Sequence, residues 1–341
     1  MSDRIPVLVT TEFSDELLDS FRAVSDRIEL IYNPAREVED VPDDIWARAE
    51  VLYTTSVVPD PEDAPKLRWI QLHTAGVDHL GEQSIAQVDR IIVTSASGIH
   101  ATTMAEYAFM MMLALGHRLL TALRLQGTSE WANSSKREWL VPLELRGSTL
   151  GVVGYGSIGR EIARLANAFG MDVLAIKRNV LDPADDAGYT LPGTGDPGGA
   201  YFSRLYPPEA LCTMVRDCDF VVVVTPLTEA TRMMFSVDAF ESMKSTAYLI
   251  NIGRGGVVDE DALRHALQNG TIAGAAMDVF EAEPLPEDSP LWKLPNLIIT
   301  PHISGISPNY NEKAAGLFVE NLTRYVARRE LLNVVDSSQG Y

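Results

Sequence analysis

The sequence predicts an α/β protein built on doubly wound parallel sheets. Three observations carry that expectation. Apolar runs that read as strands recur at 6–10, 28–32, 51–55, 69–72 and 91–94, and again at 149–153, 173–176, 220–225, 247–252, 272–279 and 297–300. The runs of the second half are continuous rather than alternating, as strands buried on both faces require. Helical patterns separate the runs, and alternation of strand and helix favours a parallel sheet.

The third observation is the segment 147–178, GSTLGVVGYGSIGREIARLANAFGMDVLAIKR, which reads as strand, turn, helix, strand. Gly154, Gly156 and Gly159 stand in GxGxxG spacing between the first strand and the helix. The first glycine permits a tight turn, the second lets backbone approach a pyrophosphate, and the third lets helix pack on strand. The helix N-terminus adds unpaired N–H groups and a partial positive charge. The expected ligand is a dinucleotide.

Length and composition bound the rest. With 341 residues, 46% of them hydrophobic, the chain is long enough for two domains with separate cores. A formal net charge of −19 argues against nucleic-acid or anionic-membrane partners and requires a local positive cluster for any anionic substrate. The first residues show neither a signal peptide nor a run of the ~18 apolar residues that a span needs, so a cytoplasmic location is expected. Cys212 and Cys218 suggest neither a disulfide framework nor a metal site and are expected as buried thiols.

In chain order, Ser14 is a plausible N-cap for an amphipathic helix to Val24. The loop HTAGVDHL, 73–80, follows a strand and carries the small residues Ala75 and Gly76; it reads equally as an ordinary strand-to-helix turn and as a ligand turn. From Ala101 to about Leu125 the pattern is one long helix, apolar on more than one face, buried either between domains or in a subunit interface. The polar stretch 126–146, with Trp131 and Trp139, reads as an excursion that grips a second subunit. The stretch 179–208, dense in Pro, Gly and Asp, is too long for an ordinary connection and is either a disordered insertion or a functional flap.

Three residues follow strands of the second half: Arg254 in NIGRGG, Glu283 in DVFEAEP and His302 in TPHISG. In open α/β sheets ligands collect at carboxyl strand ends. A histidine suits proton transfer, a neighbouring carboxylate orients its ring, and an arginine can clamp a substrate carboxylate in a bidentate pair. Together they suit reduction of a carbonyl beside a carboxylate, with the redox step left to the cofactor.

The blocks GVVGYGSIG, PLTEAT, NIGRGGVVDE, AAMDVFEAEPL and TPHISG, in this order, together with TAGVDHL and MAEYAFMMMLAL, resemble the NAD(P)-dependent D-2-hydroxyacid dehydrogenase family over nearly the whole chain. The resemblance implies two Rossmann-like domains: a discontinuous, flavodoxin-like substrate-binding domain from 1–98 and 308–341, and a dinucleotide-binding domain from 99–307 carrying the insertion. It implies His302 as general acid/base, Glu283 as its partner, Arg254 as the cation that orients the substrate, and the backbone of Ala75, Gly76 and Val77 as a carboxylate cradle. For the cofactor it implies Thr103, Gly154, Tyr155, Gly156, Ser157, Ile158, Gly159, Thr225, Pro226, Thr231, Ile252, Gly253, His302 and Gly305, with Asp278 near the nicotinamide carboxamide. Members are usually dimers built around the long helix.

Two departures bear on specificity. NAD-preferring members end the second strand of this unit on an acidic residue, whereas here Lys177 and Arg178 stand there, which favours NADP. NAD remains the alternative, with Asp182, Asp185 or Asp186 of the insertion supplying the acid. His100 replaces a common asparagine. Within the family, reduction of glyoxylate or hydroxypyruvate is the expected activity and phosphoglycerate dehydrogenase the rival. Pro301 before the histidine disfavours a formate dehydrogenase, and the intact Arg254, Glu283 and His302 set disfavours a nucleotide-sensing binding protein on the same fold.

Overall fold

The computed structural model describes residues 4–77, 88, 90–184 and 188–335; Asp78 to Leu80 of the HTAGVDHL loop, and Asp185 and Asp186, lie outside them. The chain divides into two compact units, one of Met1–Ile99, Ala187–Thr190 and Ser307–Tyr341, the other of His100–Asp186 and Leu191–Ile306.

In the first unit, strands β1 (Ile5–Val9), β2 (Ile28–Tyr32), β3 (Val51–Thr54), β4 (Trp69–Leu72) and β5 (Ile92–Thr94) form a parallel sheet in the order β2-β1-β3-β4-β5. That is the flavodoxin-like order. Helix α1 (Asp15–Arg22) begins where Ser14 accepts from the Leu17 N–H, with Asp15 and Glu16 in its first turn to complement the helix dipole. A short α2 (Asp43–Trp46) buries Trp46. The terminal helix, Tyr310–Val326, closes over α1 and the sheet through Phe318, whose ring meets Phe21 edge to face at 5.0 Å and Tyr53 at 4.7 Å. Asn321, fully buried on the same helix, bonds Gln71 Oε1, the Leu332 carbonyl and the Leu332 N–H, so no polar burial is left uncompensated there. Tyr189 belongs to this unit: its N–H donates to Asn333 Oδ1 at 2.8 Å and its ring packs with Ala96, Ile99 and Leu317.

The second unit begins with helices α3 (Ala101–Gly116), α4 (Leu119–Gly127) and α5 (Ser134–Arg137). The single helix expected from 101 to about 125 is therefore two, bent by 63°. The break has a packing cause. A Cβ at Gly116 would lie 2.8 Å from the Leu143 carbonyl oxygen and 3.3 Å from the Phe220 ring, and Arg118 follows in the left-handed region at φ 58°. Its guanidinium lies over the Tyr248 ring and donates to the Tyr248 hydroxyl. Apolar periodicity continues on both sides of the break, so the pattern alone hides it. No single helix among the described residues is long and apolar enough to cross a membrane.

Seven parallel strands follow: β6 (Thr149–Val153), β7 (Asp172–Ile176), β8 (Arg204–Tyr206), β9 (Phe220–Val223), β10 (Tyr248–Asn251), β11 (Gly274–Met277) and β12 (Leu297–Ile299), in the order β12-β11-β10-β9-β6-β7-β8. Helices α6 (Ser157–Phe169), α7 (Leu211–Val215), α8 (Val237–Ser242) and α9 (Glu260–Asn269) connect them. Strand order reverses between β6 and β9, the crevice where such sheets bind ligands. The sheet is buried on both faces, β9, β10 and β11 throughout their length, in keeping with their continuous apolar runs.

Of the described residues of the 179–208 stretch, 179–184 and 191–208 fold with this unit, whereas 188–190 belong to the first. The last residues of the stretch form β8 against β7, with Leu174 paired to Arg204 and Ile176 to Tyr206, a strand too short to read from sequence. Of the two cysteines, Cys218 is buried, which pushes its thiol up to about 12, while Cys212 is only half-buried, contrary to expectation.

Phe318→Ala removes the ring that joins the terminal helix to α1 and β3. Large-to-small core changes of this kind cost about 3–5 kcal/mol. Urea unfolding followed by tryptophan fluorescence is expected to show a lower midpoint, and an unchanged midpoint would mean that the terminal helix is not part of this core.

Candidate active site

The glycine-rich turn sits at the carboxyl end of β6, beside the end of β9. Gly154 takes φ 109°, and a Cβ there would lie 3.1 Å from the Thr225 nitrogen; at Gly159 it would lie 2.1 Å from the Gly154 carbonyl oxygen. Only glycine permits both approaches. Around Gly156, by contrast, a Cβ would meet nothing within 4 Å, so the backbone at the head of α6 is open to a ligand. Gly156 is also the N-cap of α6 and offers no side chain to its first-turn N–H groups, among Ser157, Ile158 and Gly159. After β10, Ile252 is buried and a Cβ at Gly253 would lie 2.7 Å from the Thr225 carbonyl oxygen, so the ends of β6, β9 and β10 close on one another through glycines. Thr225 Oγ1 is buried with no partner among the described residues, a polar atom that a bound group would satisfy. These features fit a dinucleotide.

Other expected cofactor residues have definite places. Thr231 Oγ1 donates to the Pro226 carbonyl at 2.7 Å and accepts from the Thr228 N–H at 2.8 Å, closing the turn after β9. Thr103 lies in the first turn of α3, which His100 caps, and His100 Nδ1 lies 3.1 Å from the Gly305 carbonyl. Lys177, just past β7, donates to the carbonyls of Asp182 and Ala184 at 2.5 and 2.9 Å, and Arg178 beside it is exposed.

The three candidate catalytic residues follow three adjacent strands in register: Asn251 of β10 pairs Met277 of β11, which pairs Ile299 of β12. Arg254, Glu283 and His302 all emerge from that carboxyl edge. Arg254 is half-buried; its Nη1 donates to the Gly253 carbonyl at 3.0 Å, and its own carbonyl accepts from Asn251 Nδ2 at 3.1 Å. Gly255 presses on the next loop, where a Cβ would lie 1.9 Å from the Phe280 carbonyl carbon. Glu283 uses both oxygens: Oε1 accepts the Phe280 N–H at 2.9 Å, and Oε2 lies 2.7 Å from His302 Nδ1. An ionised carboxylate only accepts, so Nδ1 carries the hydrogen and Nε2 is the nitrogen left for proton exchange.

His302 has a left-handed backbone, φ 53°, a conformation that costs a non-glycine residue about 1–2 kcal/mol. What holds it there is Asp278. This fully buried carboxylate accepts the Thr300 hydroxyl at 2.6 Å and the Ile303 N–H at 2.9 Å on Oδ1, and the Ser304 N–H at 2.8 Å on Oδ2; its backbone carbonyl accepts the His302 N–H at 2.8 Å. Because Thr300 gives its one hydrogen to Asp278, the Tyr107 hydroxyl donates to Thr300. Burial pushes that phenol up to about 12, which keeps it a donor. Tyr107, Thr300, Asn251 and Ser304 were not singled out in the sequence: Tyr107, Thr300 and Ser304 meet side chains far away in the chain, which no local pattern marks, and Asn251 ties the nearby Gly253 and Arg254 backbone.

The remaining candidates, Ala75, Gly76 and Val77, lie in the first unit after β4. Thr74 Oγ1 donates to the Gly76 carbonyl at 2.9 Å, and the turn is anchored at His73, whose Nδ1 lies 2.7 Å from the Tyr53 hydroxyl and whose carbonyl accepts from Tyr310 at 2.6 Å.

Asp278→Asn turns one acceptor oxygen into an NH2 that faces N–H groups. Loss of such a buried charged acceptor costs about 1.5–3 kcal/mol. The expected result is a melting temperature lower by several degrees together with at least tenfold lower turnover; full turnover would show that the His302 turn does not depend on this carboxylate.

Residues 109–196 and 199–304 match the family model described as D-isomer specific 2-hydroxyacid dehydrogenase, NAD binding domain. The chain is 34% identical over 279 residues to a glyoxylate reductase of Korarchaeum cryptofilum, covering 79% of this chain and 78% of the relative. It is 36% identical over 267 residues to an (S)-sulfolactate dehydrogenase of Chromohalobacter salexigens, covering 78% and 79%. A solved NADPH-dependent glyoxylate/hydroxypyruvate reductase of Sinorhizobium meliloti, in complex with NADP and sulfate, superimposes with a TM-score of 0.73 at 25% identity over 99% of this chain and 100% of that one. A family model that spans more than half of the sequence, together with relatives of this identity and coverage, places the chain in the D-isomer-specific 2-hydroxyacid dehydrogenase family, oxidoreductases that act on CH–OH donors with NAD(P).

Proposed function

We propose that this chain reduces small 2-keto acids, glyoxylate or hydroxypyruvate in the first instance, to the corresponding 2-hydroxy acids, the D isomer where the product is chiral, with NADPH preferred. The observation that carries the reading is the His302–Glu283 pair on the same in-register strand edge as Arg254. In the proposed reaction the Arg254 guanidinium holds the substrate carboxylate and draws charge onto the carbonyl oxygen. His302 Nε2 gives that oxygen its proton, and Glu283 stabilises the ring while it is charged. The bound dinucleotide supplies the hydrogen and two electrons that reach the carbonyl carbon. Ala75, Gly76 and Val77 are proposed to offer N–H groups to the carboxylate.

The NADP preference is supported by Lys177 and Arg178 after β7, where NAD-preferring members carry an acid, and by the NADP complex of the Sinorhizobium meliloti relative. A competing substrate reading rests on the (S)-sulfolactate dehydrogenase relative, which implies a three-carbon keto acid bearing a sulfonate. A homodimer also belongs to this proposal. The face of α3 and α4 bounds a cavity of about 810 Å³ lined by Phe109, Met110, Leu113 and Phe169, and Trp131 in the excursion is 88% exposed. A second copy of the chain would cover these apolar surfaces. A cytoplasmic location completes the proposal, because reduced nicotinamide cofactor is regenerated there.

The test is oxidation of NADPH and of NADH with glyoxylate, hydroxypyruvate, pyruvate, 3-sulfopyruvate and phosphohydroxypyruvate. The reading expects the highest kcat/KM with NADPH and one of the first two acids; a best rate with 3-sulfopyruvate or phosphohydroxypyruvate would replace the substrate, and a preference for NADH would reverse the cofactor. His302→Ala is expected to lower kcat by at least a thousandfold while NADPH still binds. Analytical ultracentrifugation should give the mass of two chains, and Leu123→Glu, at a half-exposed leucine of α4, should shift it toward one.

A further inference from the structure

The insertion is fastened to the glycine-rich turn by a buried polar network whose members all lie in the second unit. Tyr155, between the first two glycines, turns its ring inward and donates its hydroxyl to Asp196 Oδ2 at 2.6 Å. Asp196 is 3% exposed and also accepts the N–H groups of Ala200 at 2.8 Å and Tyr201 at 3.0 Å. Arg160, on the first turn of α6 and 2% exposed, stacks its guanidinium over the Tyr155 ring at 4.8 Å. It donates Nη1 to the Asp196 carbonyl at 2.5 Å and Nη2 to the Pro183 carbonyl at 2.6 Å, so one side chain grips the insertion both near its start and at its middle. The next residue, Glu161, takes a two-pronged bond from Arg164 and the Gly195 N–H at 2.6 Å. Lys177 holds the neighbouring carbonyls of Asp182 and Ala184, so three successive carbonyls of the insertion face two cations of the nucleotide-binding unit.

Two charged side chains of each sign, Arg160 and Arg164 against Asp196 and Glu161, are thus gathered where the turn meets α6. Such a group is costly to desolvate and gains little stability over apolar packing. Its specific product is geometric. Tyr155 cannot move without breaking a bond to a buried charge, and its backbone is the part of the turn that a pyrophosphate must approach. Burial works against ionisation of Asp196, yet the N–H groups of Ala200 and Tyr201, the Tyr155 hydroxyl and Arg160 together hold it below the usual carboxylate range, while burial and the carboxylate push the Tyr155 phenol up. The bond keeps its donor and acceptor throughout the neutral range.

We propose that the insertion is a working part of the dinucleotide site: Asp196, acting through Tyr155, is a positioning residue that sets the shape of the glycine-rich turn and hence the affinity for the cofactor. The proposal rests on the dinucleotide side of the function above and not on the identity of the keto acid.

Tyr155→Phe keeps the ring and its stacking on Arg160 and removes only the hydroxyl; Asp196→Asn keeps the side-chain size and removes the charge. NADPH and NADH binding to each full-length variant, without substrate, is read by fluorescence titration, alongside melting temperature. Kinetics with the best keto acid then separate the KM for cofactor, the KM for keto acid and kcat. The expected result is a dinucleotide Kd raised about tenfold in Tyr155→Phe and further in Asp196→Asn, with kcat at saturation and the keto-acid KM within twofold of the parent. A lowered melting temperature with unchanged Kd in Tyr155→Phe would reduce the network to a structural tie and overturn the proposal. If Asp196→Asn does not fold, Tyr155→Phe decides alone. Failure of every keto acid to turn over would sink the substrate reading and leave the binding titration fully interpretable.

Discussion

Everything polar in this protein is governed by one constraint: parallel sheets covered on both faces have no room for chemistry within the strands. Val221, Val222, Leu249, Ile250, Ala275 and Ala276 are buried, and side chains that exchange protons or hold anions must wait for the carboxyl edge. At that edge, register becomes function. Because Asn251, Met277 and Ile299 pair side by side, with neighbouring strands about 4.8 Å apart, loops from distant parts of the sequence deliver Arg254, Glu283 and His302 to one rim. A one-residue slip of any strand would reverse its faces, so the apolar core that fixes the register also fixes the candidate active site.

The rim is not held by the sheet alone. Asp278 is a charge placed at a buried strand end, which would be strongly unfavourable if unpaired. Three donors answer it, and all three come from the loop that carries His302. The desolvation of one carboxylate is thereby converted into the rigidity of one turn, and the left-handed backbone of His302 is the visible consequence. Tyr107 extends the same chain of bonds into α3, which couples the helix that follows the start of this unit to its last strand.

Much of this was legible in the sequence. Continuous runs of Val, Leu and Ile have few outlets other than buried strands, and GxGxxG between a strand and a helix is specific because each glycine answers a separate steric demand. His302, Glu283 and Arg254 were readable because each follows such a run within a few residues. What escaped the sequence depends on partners far away in the chain. The break after Gly116 is set by Leu143 and Phe220, β8 exists only because β7 offers it an edge, and the donor role of Tyr107 is set by Thr300, 193 residues on. Both oxygens of Asp278 are engaged with the His302 turn, through donors 22 to 26 residues on that no local pattern announces. Periodicity records what a residue buries, not whom it meets.

The insertion shows the same logic at the other end of the sheet. A stretch rich in Pro, Gly and Asp has limited apolar surface, and here that surface is concentrated at its end, where Tyr201, Phe202, Leu205 and Tyr206 pack on the sheet's core. The part before them docks through backbone carbonyls and one carboxylate, and the carbonyls meet cations. The chain carries 28 Lys and Arg against 47 Asp and Glu, yet Arg160, Arg164 and Lys177 are all committed to this corner. Lys177 therefore has a structural task in addition to the one proposed for it at the cofactor phosphate. If the ammonium stays with the Asp182 and Ala184 carbonyls when cofactor binds, Arg178 must meet the 2′-phosphate by itself; if it leaves them, binding is linked to a loosening of the insertion. Only in the second case do selectivity for the adenosine end and the anchoring of the insertion draw on the same side chain, so that the two properties cannot vary independently; in the first they are divided between neighbours, Arg178 for the cofactor and Lys177 for the insertion.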